Sequence, residues 1–228
     1  MTTPTTPGIR TFHPRRSRVT ARQARALEDL SERWVIAVQP EALDLDAVFG
    51  ARVPVVLEVG FGMGEATWRM AAADPGTGLL AVDVHTPGVG ALLDAVEREG
   101  LTNVRIVHDD AVDVLQAMLT PQCLAGVRVF FPDPWPKKRH HKRRFVRPDV
   151  IDLVVSRLRP GGFLHCATDW SDYAEQMVQV LDAHPLLVED PGVTEACVAS
   201  RPGTRFEERG RALGHPVVDV VRTRTLRG

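Results

Sequence analysis

The run PVVLEVGFGMG over residues 54–64 constrains the fold of this chain more than any other stretch. A continuous apolar run of this length, bounded by turn residues, reads as a strand buried on both faces. Three glycines then let the backbone turn sharply into a helix and approach a ligand closely. The same rhythm recurs downstream. Buried strands are predicted at residues 79–84, 104–108, 127–131 and 163–167. Helices are predicted at 65–73, at 89–99 (closed by Gly100), at 112–119, and at 148–157, where Pro160-Gly161-Gly162 stops the chain. Upstream, Thr20 suits the N-cap of a helix over 21–38, ending before Pro40; downstream, Ser171 caps a helix reaching His184. This alternation predicts an α/β fold with a doubly wound, mostly parallel sheet. Two further strands near 186–189 and 217–222 are separated by loop, which predicts an antiparallel hairpin at the C-terminal sheet edge. The expected sheet has seven strands.

Length and apolar content suit a single domain over residues 19–228 with a sizeable core. Residues 1–18, rich in Thr, Pro and Arg, read as a flexible basic arm. The net charge of −1 conceals a strong segregation. Residues 1–27 carry six Arg and no acid, residues 28–136 carry 17 acids against 6 bases, and residues 137–144 supply six Lys/Arg. An acidic body with basic arms can grip a polyanion while keeping an acidic pocket for a cationic or amino-bearing cofactor. Cys123, Cys166 and Cys197 are widely spaced with no CxxC, which fits a reducing compartment and argues against a disulfide framework or a zinc site. No stretch reaches 18 apolar residues and no apolar signal region opens the chain, so a cytoplasmic protein is expected, with no membrane association. Nothing in the chain marks an obligate protein partner; monomer and homodimer both stay open.

The glycine turn discriminates between cofactors. Its spacing, Gly60-Phe-Gly62-Met-Gly64-Glu65, is GxGxG, and Glu65 stands where a dinucleotide fingerprint needs its last glycine. Carboxylates at Glu58 and Glu65 would repel a pyrophosphate held at that helix end. S-adenosylmethionine (SAM) carries no phosphate but has a sulfonium and an ammonium that acids attract. The ExGxGxG pattern resembles motif I of class I SAM-dependent methyltransferases, whose sheet is Rossmann-like. Asp83, at the end of the second strand, is placed to accept both ribose hydroxyls. Asp110 follows the third strand, where methyltransferases often hold the adenine amino group; Asp109 competes for that role, and Asp110 can equally be a helix N-cap.

The second informative stretch is FFPDPWPKKRHHKRR, residues 130–144. An acid and an aromatic stand at a strand tip, where α/β sheets put their ligands, and a dense basic run follows. Together they point to chemistry on a polyanion, foremost a nucleic acid. Trp135 can stack on a base or pack at the strand end. His140 and His141 share no ligand spacing with Cys or acids, so they read as RNA-facing or solvated and not as metal ligands.

The chain resembles the bacterial tRNA (guanine-N7)-methyltransferases of the TrmB type from about Arg15 to its C-terminus. The resemblance rests on LEVGFGMGEAT, VDVHTPGVGALL, FFPDPWPKKRHHKRR, CATDWSDYAEQM and RPGTRFEERGRALGHPVVDV, in that order. It implies methyl transfer from SAM to N7 of a tRNA guanine, the variable-loop guanine at position 46. It implies cofactor contacts from Glu58, Asp83, Asp110 and Asp133 beside Gly60, Gly62 and Gly64, with Asp133 the catalytic acid. It implies substrate contacts from Lys137, Asp169, Thr204, Arg205, Phe206 and Glu207. The RNA-interacting segment it implies comprises Arg139, His140, His141, Lys142, Arg143 and Arg144. Two departures stand out. The family usually has Glu where Asp83 stands, so a shorter arm must reach the ribose, and Lys where Arg205 stands, which keeps charge but changes donor geometry. A methyltransferase for a small molecule would explain the glycine turn but leave the basic run as solvated surface. A non-enzymatic RNA-binding protein would leave the cofactor pocket unexplained.

Overall fold

A computed structural model of the chain describes residues 18–203, Glu207 and residues 216–226. Nearly all of the expected arm, and the substrate positions Thr204, Arg205 and Phe206, lie outside the described residues. In chain order the elements are α1 (Ala21–Trp34), β1 (Val35–Ile36), α2 (Leu45–Phe49), β2 (Val55–Val59), α3 (Glu65–Ala73), β3 (Gly78–Val82) and α4 (Thr86–Arg98). There follow β4 (Val104–Val107), α5 (Ala111–Asp113), β5 (Leu124–Phe130), α6 (Pro148–Arg157), β6 (Leu158–Thr168), α7 (Ser171–Asp182), β7 (Leu187–Val188), α8 (Pro191–Ser200) and β8 (Val218–Arg224).

Among the described residues, one sheet of eight strands runs in the order β1-β4-β3-β2-β5-β6-β8-β7. Pairing is parallel from β1 through β6 and antiparallel at β6–β8 and β7–β8. The doubly wound sheet and its antiparallel C-terminal edge are therefore as expected. The chain leaves β4 on one side of β2 and returns as β5 on the other, so the crevice where the winding reverses lies between β2 and β5. Apolar layers cover both faces. Trp34, Leu79, Leu92, Leu93 and Val96 pack on one side, and Leu115, Met118, Ile151, Val154, Tyr173 and Met177 on the other. That two-sided burial is why β3 reads as an unbroken apolar run.

Five details differ from expectation. Ser171 is the first residue of α7 and not its cap, the N-cap being Trp170, and that helix ends at Asp182. The first helix is capped as foreseen, with the Gln23 amide donating to Thr20 Oγ1 at 3.3 Å and the Thr20 amide donating to Gln23 Oε1 at 2.8 Å. It stops at Trp34, however, because the β-branched Val35 and Ile36 pair in parallel with Ile106 and Val107; this supplies the eighth strand. The helix expected over 112–119 is a short α5 followed by a π-helical turn, Val114–Met118. Carbonyls in that turn accept from elsewhere: Leu115 from Arg157 Nε at 2.8 Å, and Met118 from the Leu43 amide at 2.8 Å. Pro160-Gly161-Gly162 ends no element: β6 already begins at Leu158, and the glycines absorb a register shift between Leu124 and Gly126 of β5, with Gly161 at φ 76°. Between the last two strands stands α8, not loop; Pro191 opens it and Asp190 caps it through the Gly192 and Val193 amides.

Candidate active site at the carboxyl ends of the strands

The parallel register brings Gly60, Asp83, His108 and Phe130 to one level at the carboxyl edge of the sheet. On the β2–β3 side the glycine turn is held by backbone and by one acid. Gly60, Gly62 and Gly64 all have positive φ, between 60° and 75°. A Cβ at Gly60 or Gly62 would project into open space, so these positions leave bare backbone facing outward. The Gly62 carbonyl in turn lies so close to Gly88 in the first turn of α4 that no side chain fits there. The Gly62 amide donates to Asp83 Oδ2 at 2.7 Å and the His85 amide to Asp83 Oδ1 at 2.9 Å. Each Asp83 oxygen retains a further lone pair for another donor.

Glu58 lies one strand over, between Ala81 and Arg128 in register, and is 2% exposed. Burial pushes its carboxyl up to about 7, opposed chiefly by the positive charge of Arg128. Its Oε2 makes no hydrogen bond of good geometry among the described residues, although the nearby Thr67 hydroxyl, itself unpartnered, also opposes the rise. A buried carboxylate oxygen without a partner is costly, and a cationic or N–H-bearing ligand would relieve that cost. Asp83 and Asp110 are also raised, again chiefly by burial. Asp110 caps α5, accepting from the Val112 amide at 2.9 Å, while Asp109 accepts from the Asp110 amide at 2.7 Å. The capping reading of Asp110 therefore holds, and one of its oxygens is left for another contact.

The β5 side is built differently. The loop from Phe131 to Trp135 carries Asp133 between Pro132 and Pro134, and both its ends have left-handed backbone, with φ 49° at Phe131 and 44° at Trp135. Such conformations cost on the order of 1–3 kcal/mol each in non-glycine residues and persist only where surroundings enforce them. The Phe131 amide donates to the Ala167 carbonyl at 2.8 Å, extending the β5–β6 ladder past the strand end. Trp135 is 7% exposed, with the Arg143 guanidinium 4.9 Å from its ring centre and the His140 ring edge-on at 5.8 Å. Of its two readings, Trp135 takes the packed one.

The basic run forms a 3-10 helix, Lys138–Arg143. Lys137, Lys138, Arg139, Lys142 and Arg143 are exposed, His140 and His141 are half-buried, and His141 Nε2 lies 3.8 Å from Asp172. Arg144 departs from the expected RNA-facing set: its side chain is 1% exposed and bonded within the protein. Asp169 is exposed at the end of β6. Glu207 is 3% exposed and bridged by Arg201, whose Nη1 donates to Oε2 at 2.7 Å. The same guanidinium holds Asp219 through two bonds at 2.7 and 2.9 Å, and Asp219 accepts from or pairs with His165 Nε2 at 2.7 Å. Arg201 also sits 5.9 and 5.8 Å from the ring centres of Phe130 and Phe131. Arg201, Asp219 and His165 were not singled out in sequence, although the first two bracket the RPGTRFEERGRALGHPVVD motif.

A family model described as a putative methyltransferase matches residues 52–220. The tRNA (guanine-N(7)-)-methyltransferase of Streptomyces avermitilis is 56% identical over 93% of this chain and 74% of its own length. That of Thiobacillus denitrificans is 53% identical over 94% of this chain and 95% of its own. The chain belongs to this family. Solved structures agree on the architecture of this family member. The 16S rRNA methyltransferase KamB matches with a TM-score of 0.55 at 16% identity, covering 81% of this chain and 95% of that one. A variant 16S rRNA (adenine(1408)-N(1))-methyltransferase from Catenulisporales acidiphilia, solved with its cosubstrate SAM, gives 0.50 at 20% identity, covering 82% and 92%. At such identities the likeness concerns the fold alone, which is the class I methyltransferase sheet. No helix among the described residues is long and apolar enough to cross a membrane.

Proposed function

We propose that this chain transfers a methyl group from SAM to N7 of guanine in tRNA, at the variable-loop guanine. The observation that carries the proposal is the pairing, across the sheet's switch point, of a bare glycine turn flanked by one buried and two half-buried acids with a rigid acid-bearing loop that opens into exposed cations. The donor set suits SAM. Glu58 offers a buried oxygen without a partner, Gly60 and Gly62 offer backbone with no Cβ in the way while Gly64 packs against Leu92 to hold the turn, and Asp83 and Asp110 offer oxygens to ribose hydroxyls and the adenine amino group. When bound, SAM supplies an electrophilic methyl group on a sulfonium.

Guanine N7 presents a lone pair on the major-groove edge and carries no proton to remove. The protein therefore has to orient the base and to stabilise the positive charge that develops on it. Asp133, clamped between two prolines on its strained loop, supplies negative charge and accepts from the guanine N1–H and amino group. Lys137, Asp169, Thr204, Arg205 and Phe206 contact the substrate, and Glu207 supports the site through its buried ion pair with Arg201. Arg139, Lys142 and Arg143, with His140 and His141 beside them, meet the tRNA backbone. A tRNA-modifying role is consistent with a cytoplasmic enzyme.

The test is incubation of the purified chain with labelled SAM and, in parallel, total tRNA, 16S rRNA or a metabolite mixture, followed by nucleoside analysis. Label confined to tRNA as N7-methylguanosine is the expected result. Label in rRNA, in a metabolite, or at another guanine atom would overturn the proposal.

A further inference from the structure

The basic run at 137–144 is not uniform. Five of its cations are exposed, while the last, Arg144, is buried at 1%. A guanidinium keeps its charge at any working pH, so its burial demands that its donors be answered by the protein. They are answered by two separate parts of the site. Nε donates to the Pro134 carbonyl at 2.8 Å, on the residue next to Asp133. Nη1 donates to Gln176 Oε1 at 2.6 Å and Nη2 to Asp172 Oδ2 at 2.5 Å, both on α7. The guanidinium also lies 4.7 Å from the ring centre of Tyr173. Tyr173 Oη accepts from the Val146 amide at 3.0 Å, and Gln176 Nε2 donates to the Val146 carbonyl at 2.9 Å, so the ring and the amide acceptor are themselves held in place, while Asp172 is the exposed end of the fork.

Asp172 stands in the first turn of α7, three residues beyond Asp169. One planar fork thus spans from the loop that carries Asp133 to the helix start that follows Asp169. Past the Phe131–Ala167 backbone bond no sheet pairing fixes the separation of Asp133 and Asp169, because both lie beyond the ends of their strands. We propose that Arg144 is a positioning residue that fixes the Asp133 loop against α7, and so sets the spacing of the two acids that face the guanine. Its chemical consequence rests on the function proposed above; the tether itself rests on the contacts alone. A lysine here would keep the charge and lose the fork, since one ammonium cannot serve a carbonyl, an amide and a carboxylate in these three directions.

The experiment compares wild type, Arg144→Lys and Arg144→Ala in the full chain, the last with and without methylguanidinium. Three quantities are read: the single-turnover methylation rate at saturating SAM and tRNA, the salt slope of tRNA affinity, and acrylamide quenching of Trp135. The last is taken as the difference from a Trp135→Phe counterpart of each variant. The tether predicts at least a tenfold slower turnover for Arg144→Lys, raised quenching of Trp135, an unchanged salt slope, and recovery of Arg144→Ala by methylguanidinium of at least about fivefold. If Arg144→Ala does not fold, Arg144→Lys carries the test. A salt slope reduced by about 0.7–0.9, the share of a single phosphate, with turnover retained would make Arg144 an RNA contact and overturn the proposal. Slower turnover with unaltered quenching would overturn it equally. A wild-type chain that makes no N7-methylguanosine would sink the proposed function instead, and quenching would still decide the tether.

Discussion

The two strand tips that flank the switch point are held by different means. At the β2–β3 tip, Gly60 to Gly64, Asp83 and His85 bind one another through backbone amides, and every partner lies within about 25 residues. At the β5 tip, the loop around Asp133 is held by side chains: Arg144, ten residues on, which is itself anchored on Asp172 and Gln176 some thirty residues further, and Arg201, beside the Phe131 ring and bridged to Asp219 and Glu207. The first tip withdraws side chains and leaves the main chain bare at Gly60 and Gly62. The second adds them, so that one carboxylate on a strained loop keeps its place. The glycine turn and the Asp133 loop thus differ in where their rigidity comes from.

Substitutions can break that division. Asp133→Asn nearly preserves shape and removes charge; methyl transfer should fall at least about 10²-fold at saturating SAM, the scale seen when one electrostatic group is removed. Turnover above half of wild type would reduce Asp133 to a loop-shaping residue. Glu58→Gln should weaken SAM about 5- to 150-fold, or about 1–3 kcal/mol of charge-assisted bonding, with the fold retained. Calorimetric affinity within twofold of wild type would remove Glu58 from the cofactor pocket. Neutralising Arg139, Lys142 and Arg143 together should lower the salt slope of tRNA binding by about 0.7–0.9 for each phosphate no longer neutralised, and leave SAM affinity unchanged. An unaltered slope would return these cations to plain surface. The smallest effect is expected far from both tips: Thr20→Ala should cost about 1 kcal/mol in denaturant unfolding without changing turnover.

The buried acids of the first tip also predict a pH dependence. Glu58 is raised from 4.5 to about 7, so between those values the folded chain binds a proton that the unfolded chain has released. Its contribution to stability is fully present below about pH 4.5 and is lost as pH rises through about 7, a span of about 3 kcal/mol at 1.36 kcal/mol per pKa unit. Asp83 and Asp110 are shifted in the same direction. Glu58→Gln should flatten the profile of unfolding free energy between pH 5 and 8. A cationic cofactor favours the ionised form, so SAM binding at pH 6 should release protons, measurable as a buffer-dependent heat. Equal heats in buffers of different ionisation enthalpy would contradict this.

The same contrast explains what could be read in the sequence. The strands, the glycine turn and the capping of α1 follow from local pattern, because apolar runs, glycines and a Thr–Gln capping box act over a few residues. The end of α1 at Trp34 was missed because a partner strand some seventy residues away recruits Val35 and Ile36. α8 was missed because its apolar residues make no single stripe; only Cys197 is buried. In the candidate site the acids at the strand ends were legible from position alone. Arg144 was not, since a basic run gives no sign of which cation turns inward to meet acceptors 28 and 32 residues away.

The division of labour between the tips is tested most directly by a double-mutant cycle on Glu58→Gln and Asp133→Asn, read as the single-turnover rate at subsaturating SAM. If one tip holds the cofactor and the other acts on the guanine, the two effects should add in free energy to within about 0.5 kcal/mol. A double variant no slower than the slower single one would show both carboxylates serving the same step, and would contradict the account.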